Sequence, residues 1–135
     1  MTKRLIYSFA AFCLAAACLH AGQQMTASIP FQFHVGRSVF PAGSYTTETA
    51  LGTGNVVMLR SRDGKSSVMV LSNSAVQSRG RHMIPSLIFH RYGDQYFLFQ
   101  VWTGPDSGRE FVPSRQEAEL AAAAKRAMRT VVATR

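Results

Sequence analysis

Cysteine is missing from the chain beyond residue 18. The only two, Cys13 and Cys18, lie inside an apolar stretch near the start. A body without cysteine forms no disulfide, so packing alone must hold it together. Acidic side chains are also scarce, with seven Asp and Glu against fifteen Lys and Arg. Asp106, Glu110, Glu117 and Glu119 fall in a loop, a short extended piece and a helix start, which is poor material for a paired-carboxylate site. No Gly-x-Ser-x-Gly elbow exposes a nucleophile. No glycine-rich loop leads into a helix to cradle phosphate. His34, His82 and His90 stand apart, without the close ligand pairs of a zinc site. These absences point to a non-enzymatic chain with no metal and no cofactor. They also make His90 a hydrogen-bonded, partly buried histidine and His34, on the polar face of its strand, a solvent-facing one.

The longest apolar run, Leu5 to Leu19, falls short of the ~20 residues of a spanning helix. It follows Lys3 and Arg4 and leads into small residues, the pattern of a secretory signal peptide cut after Ala21. Residues 1–21 are then a leader, and the protein is exported, periplasmic or secreted. An alternative is the lipoprotein-like Ala15-Ala-Ala-Cys18, which would anchor the chain through Cys18, although such signals usually carry Leu where Ala15 stands.

The formal net charge is +8, of which Lys3 and Arg4 leave with the leader. A positive exported domain suits anionic glycans or lipid head groups. Nucleic acid is not expected, because no RNA-binding sheet signature is present. The best candidate for anion contact is Arg79-Gly-Arg81-His82, in a polar connection. Arginine forks match phosphate, sulfate or carboxylate. The plainer reading of the same run is a solvated loop.

What is abundant is β-forming sequence. The densest aromatic run, Leu87 to Trp102, is split by Gly93-Asp94. Glycine at the first central position suits a type II′ hairpin turn. Pairing Tyr92 with Gln95 sets His90 opposite Phe97, Phe89 opposite Leu98 and Ile88 opposite Phe99. Strict alternation then puts Ile88, His90, Tyr92, Phe97, Phe99 and Val101 on one face and Leu87, Phe89, Arg91, Tyr96, Leu98 and Trp102 on the other. Both faces are mainly apolar, so this hairpin is expected to be central and covered on both sides. Asp63-Gly64 predicts a second hairpin with a type I′ turn between Val56–Arg62 and Lys65–Leu71, also covered on both sides beyond its wet tip at Arg62 and Lys65. Residues 22–28 form a polar lead, Ile29 to Val35 alternates as one strand with Pro30 near its start, and Ser44 to Thr49 reads as another.

Pro113-Ser114 opens a helix. Ser114 and Glu117 have capping-box spacing, and the run that follows is rich in helix formers, with Lys125, Arg126 and Arg129 placed late. Its apolar stripe is thin. The chain is therefore expected to be mainly β, an antiparallel β-sandwich or flattened barrel of about six to seven strands with a C-terminal α-helix. Residues 1–21 are the leader, 22–113 the β-domain and 114–135 the C-terminal helix and tail. An apolar ligand inside the barrel, walled by Phe31, Phe33, Phe97 and Phe99, is the competing use of such a fold. Self-association is a further way to cover apolar faces.

Four pieces occur together: Ile29-Pro-Phe-x-Phe-x-Val-Gly36, Pro41-Ala-Gly-x-Tyr45, Ser61-x-Asp-Gly-Lys65 and His90-Arg-Tyr-Gly-Asp-x-Tyr-Phe-Leu98. In combination they resemble a family of small exported bacterial proteins to which no activity is assigned. The resemblance spans about Ile29 to Leu120. It implies a shared fold and export, and no catalytic residues.

Intact mass of the protein recovered from the envelope should correspond to a chain starting at Gly22. A diacylglyceryl adduct on Cys18 would replace that reading with the lipoprotein one.

Overall fold

The computed structural model describes residues 24–49, 55–76, 84–105, 107–124 and 126–135. The expected leader and the anion candidates Arg79, Arg81 and His82 lie outside the described residues. The elements are β1 (Gln24–Ile29), β2 (Phe33–Val35), β3 (Ser38–Phe40), β4 (Gly43–Thr49), β5 (Val56–Ser61), β6 (Ser67–Val76), β7 (Ser86–Tyr92), β8 (Gln95–Trp102), β9 (Gly108–Phe111), α1 (Arg115–Ala123) and β10 (Met128–Ala133). The protein is mainly β, as its alternation and turn signals imply, and the described residues hold ten strands, more than the six to seven expected, all joined in one sheet.

Neighbours run β1-β4-β5-β6-β9-β8. One edge of β8 then carries β7 and β10, while the edge shared with β9 also receives β2, in parallel, with β3 beyond it. The end of β10 returns to β1. Ala27 bridges Thr134, and Thr26 and Arg135 exchange two backbone hydrogen bonds of 3.0 and 2.9 Å. The sheet is thus not closed by a full ladder, since β10 and β1 meet through one bridge, an arrangement that fits a sandwich or a flattened barrel.

The β7–β8 hairpin keeps the expected register from Tyr92–Gln95 through Phe89–Leu98. Gly93 has φ +60°, while Asp94 stays at negative φ, which fits a type II′ turn. Beyond that point the ladder shifts, and Ile88 pairs with Gln100 instead of Phe99. Phe99 is the extra residue of a β-bulge. The bulge corrects the expected faces. Leu98 and Val101 both enter the core beside Leu87 and Phe89, which strict alternation forbids, and Trp102 moves to the opposite side. Phe33 and Phe31 meet Phe89 edge-on at 5.5 and 5.1 Å, closing the inner face.

Five other expectations about these elements are corrected. Residues 24–29 are strand rather than a polar lead, with Met25, Ala27 and Ile29 inward. The chain breaks at Pro30, where the missing N–H ends the ladder, and resumes at Phe33. The Asp63-Gly64 hairpin has the expected register, but only Gly64 takes positive φ, so the turn is not type I′. Ser61 O instead accepts from Gly64 N at 3.0 Å, and the Asp63 carboxylate accepts from the Ser61 hydroxyl at 2.5 Å and from Lys65 N at 3.0 Å. That hairpin is also not covered on both sides: Val57 and Leu59 are buried, whereas Met69 and Leu71 are 68% and 71% exposed.

The last correction concerns residues 114–135. The helix starts where expected, because Ser114 Oγ accepts from Glu117 N at 3.2 Å. It ends at Ala123, so Arg129 is not a basic residue of its last turn. Met128 to Ala133 is a strand paired with β7. Thr130, Val131 and Val132 are β-branched, and β7 would otherwise present an open edge.

Gly108 lies against Trp102, and a Cβ there would meet the indole at 2.7 to 2.8 Å. Gly108→Ala should destabilise the protein by about 1–3 kcal/mol in a denaturant melt, because a buried ring plate must shift. Gly104→Ala, with nothing within 4 Å, should stay within about 0.5 kcal/mol of wild type.

Candidate functional site

The outer side of the β7–β8 hairpin carries the densest polar chemistry among the described residues. Alternation sends His90 and Tyr92 of β7 outward, and α1 crosses over them. Glu117 is the only buried residue of that nine-residue helix. Its spacing from Ser114 suggests a capping box, but only the serine half of the box is made. The Glu117 carboxyl turns inward, with Oε1 3.3 Å from His90 Nδ1, and the Tyr92 hydroxyl is near enough to influence it. Gln116 Nε2 donates to Gln95 Oε1 at 3.0 Å beside it.

Aromatic rings frame this contact. His90 stacks on Phe99 at 3.8 Å, and the bulge is what holds Phe99 there. His34 stacks on Phe97 at 4.6 Å. It is buried at 9% exposure, contrary to the solvent-facing expectation, because β2 docks in parallel with its His34 beside Phe97 of β8. Next to His90 runs a polar belt. Gln100 Nε2 donates to Glu110 Oε2 at 2.8 Å, while Gln100 Oε1 accepts from Trp102 Nε1 at 3.1 Å and from Arg129 Nη2 at 3.4 Å.

Burial sets the protonation states. It pushes the Glu117 carboxyl up to about 7, partly opposed by the Tyr92 hydroxyl. Burial lowers His90, helped by the charge of Arg129 and opposed by that of Glu110. Burial also lowers His34. With the Glu117 carboxyl raised and the His90 imidazole lowered, burial favours the neutral form of each, so near neutral pH the contact is an acid–imidazole hydrogen bond rather than an ion pair. A carboxyl this enclosed holds an element in place.

A second region lies on the outer side of β1, β4 and β5. Three clefts adjoin there, and Arg62 lines all of them. The largest, about 440 Å³, is lined by Thr26, Ser28, Ser44, Arg62 and residues 133–135, so two arginines and several hydroxyl-bearing residues border it. The others, about 210 and 150 Å³, add Asp63 and the pair Arg60 and Glu48. Arg62 is in place because its backbone N–H donates to Ser44 O at 2.9 Å. Sequence reasoning placed Arg62 at a wet tip but did not bring Arg135 to it. Only the return of β10 to β1 does that. Nothing in the local pattern marked Glu117 as buried, apart from the thinness of the helix's apolar stripe. Among the described residues no group of His, Cys, Asp and Glu is arranged to hold a metal ion.

No family model, no curated protein and no solved structure matches this chain.

The raised Glu117 carboxyl implies a definite pH dependence. Its folded-state value lies above the unfolded one, so its contribution is fully present below about pH 4.5 and is lost as pH rises through about 7. The loss is at most about 3 kcal/mol. His90 and His34 act in the opposite sense and remove stability as pH falls below 6.5. Glu117→Gln should remove the decline in melting temperature between pH 6 and 8 and leave the acid-side decline in place.

Proposed function

We propose that this chain is a non-enzymatic, exported β-domain that serves the cell envelope as a binding module for an anionic ligand taken on its outer surface. The cleft bordered by Arg62 and Arg135 carries this reading, since both arginines line it together with Thr26, Ser28 and Ser44. Guanidinium forks with neighbouring hydroxyls suit phosphate, sulfate or carboxylate on a glycan or a lipid head group. An apolar ligand in the barrel interior is disfavoured. Phe33, Tyr45, Phe89, Leu59 and Val101 fill that interior at 0 to 1% exposure, and Phe97 and Phe99 lie on the other side of the hairpin. Export itself rests on the leader-like residues 1–21 and on the family resemblance.

Self-association is a second reading, favoured by the exposed cross-strand face of Met69 and Leu71 beside Val56 and Met58. Leu71→Asp should then lower the mass measured by sedimentation. An unchanged monomer mass in wild type and variant would end this reading.

Salt elution from a heparin matrix tests the anion site. Arg62→Glu should elute at clearly lower salt than wild type, while Arg79→Ala/Arg81→Ala should elute close to it. The reverse order would move the site to the 77–83 connection. Co-elution of all three proteins would remove the anionic ligand from the proposal.

A further inference from the structure

Helix α1 is too short to be stable alone, since isolated helices of fewer than about 12 residues are marginal in water. Its attachment to the sheet is unusual. Arg115, Gln116, Ala118, Glu119 and residues 121–123 are exposed, Leu120 is half-buried, and the one buried side chain is a carboxyl. The Arg115–Glu119 pair, at 3.1 Å, lies out in solvent and holds nothing down. The helix therefore depends on Glu117, seated on His90 and Tyr92, with the Gln116–Gln95 hydrogen bond at its side.

We infer that α1 is a proton-operated cover, closed over His90 and Tyr92 while Glu117 carries its proton and lifted once that proton leaves. Protonated, the carboxyl donates to His90 Nδ1, 3.3 Å away, so it is satisfied without charge. Ionised, it becomes a buried anion that needs a cation at contact distance. His90 and Tyr92 of β7 are the groups it touches, and burial disfavours the charged form of each. Further off, β10 supplies Arg129, which is hydrogen-bonded to Gln100, and β9 supplies Glu110, whose negative charge opposes the anion. No lysine or arginine pairs with Glu117 among the described residues. The carboxyl's position at about 7 puts the change in the neutral range. The cover opens by exposing Glu117 to water, with no rearrangement of the strands beneath it. Opening bares His90 and Tyr92, with Phe99 stacked on the imidazole and Phe97 against the tyrosine ring. An aromatic face would thus be displayed more often at pH 8 than at pH 6.

Amide hydrogen exchange, corrected for the intrinsic pH dependence of exchange, tests this on the full protein. Between pH 6 and pH 8 the protection of residues 116–123 should fall about tenfold, while the β7 and β8 amides keep theirs. Glu117→Gln, whose amide can still donate to His90, should keep α1 protected at both values. Protection of α1 that is equal at pH 6 and pH 8 in the wild type overturns the inference, whatever the variant does. So does a Glu117→Gln protein that loses α1 protection at pH 6 while its strands remain protected. If the variant does not fold, the wild-type profile decides alone.

Discussion

Phe99 has no partner in the β7–β8 ladder, and most of the fold follows from that one extra residue. A hairpin with apolar residues on both faces cannot leave either face in water, because each large side chain kept from water is worth roughly 1.5–3 kcal/mol. Strict alternation would send Val101 outward and Trp102 inward. The bulge reverses both, so Leu98 and Val101 complete the inner wall with Leu87 and Phe89. It also leaves Phe99 and Gln100 side by side on the outside. There Phe99 supports the His90 ring, and Gln100 joins Glu110, Trp102 and Arg129.

The outer face is covered in a different manner from the inner one. Inside, rings and aliphatic groups close-pack: Phe33 meets Phe40, Tyr45 and Phe89 at 5.1 to 5.5 Å. Outside, the cover is a short alanine-rich helix with little apolar surface, held by hydrogen bonds to polar groups that the sheet presents. Such a contact is directional and sensitive to protonation, whereas apolar burial is neither. The two faces of one hairpin thus differ in how firmly they are closed.

The seam between β10 and β1 plays the complementary part. β10 covers the exposed edge of β7 along its length and then reaches β1 through one bridge and two hydrogen bonds. That return brings Arg135 to the Arg62 turn, from a position more than seventy residues along the chain. Among the described residues the interior is filled by Phe33, Tyr45, Phe89, Leu59 and Val101, and this seam brings Arg135 beside Thr26, Ser28, Ser44 and Arg62.

Much of the β architecture was legible in the residues themselves. Gly93-Asp94 and Asp63-Gly64 set two hairpin registers, because turn chemistry and the two-residue period act over a few neighbours. The helix start at Ser114 was legible for the same reason. Three things were not. The bulge at Phe99 is selected by what packs on each side of β8, not by the local run. The strand at Met128 to Ala133 lies in a stretch read as helix, and the open edge of β7 decides for strand. The burial of His34 and Glu117 depends on β2 and α1 docking against a surface far away in sequence. Local propensity and periodicity determine where strands and turns can form. Which polar group ends up away from water is a property of pairs distant in the chain, and only the tertiary structure decides it.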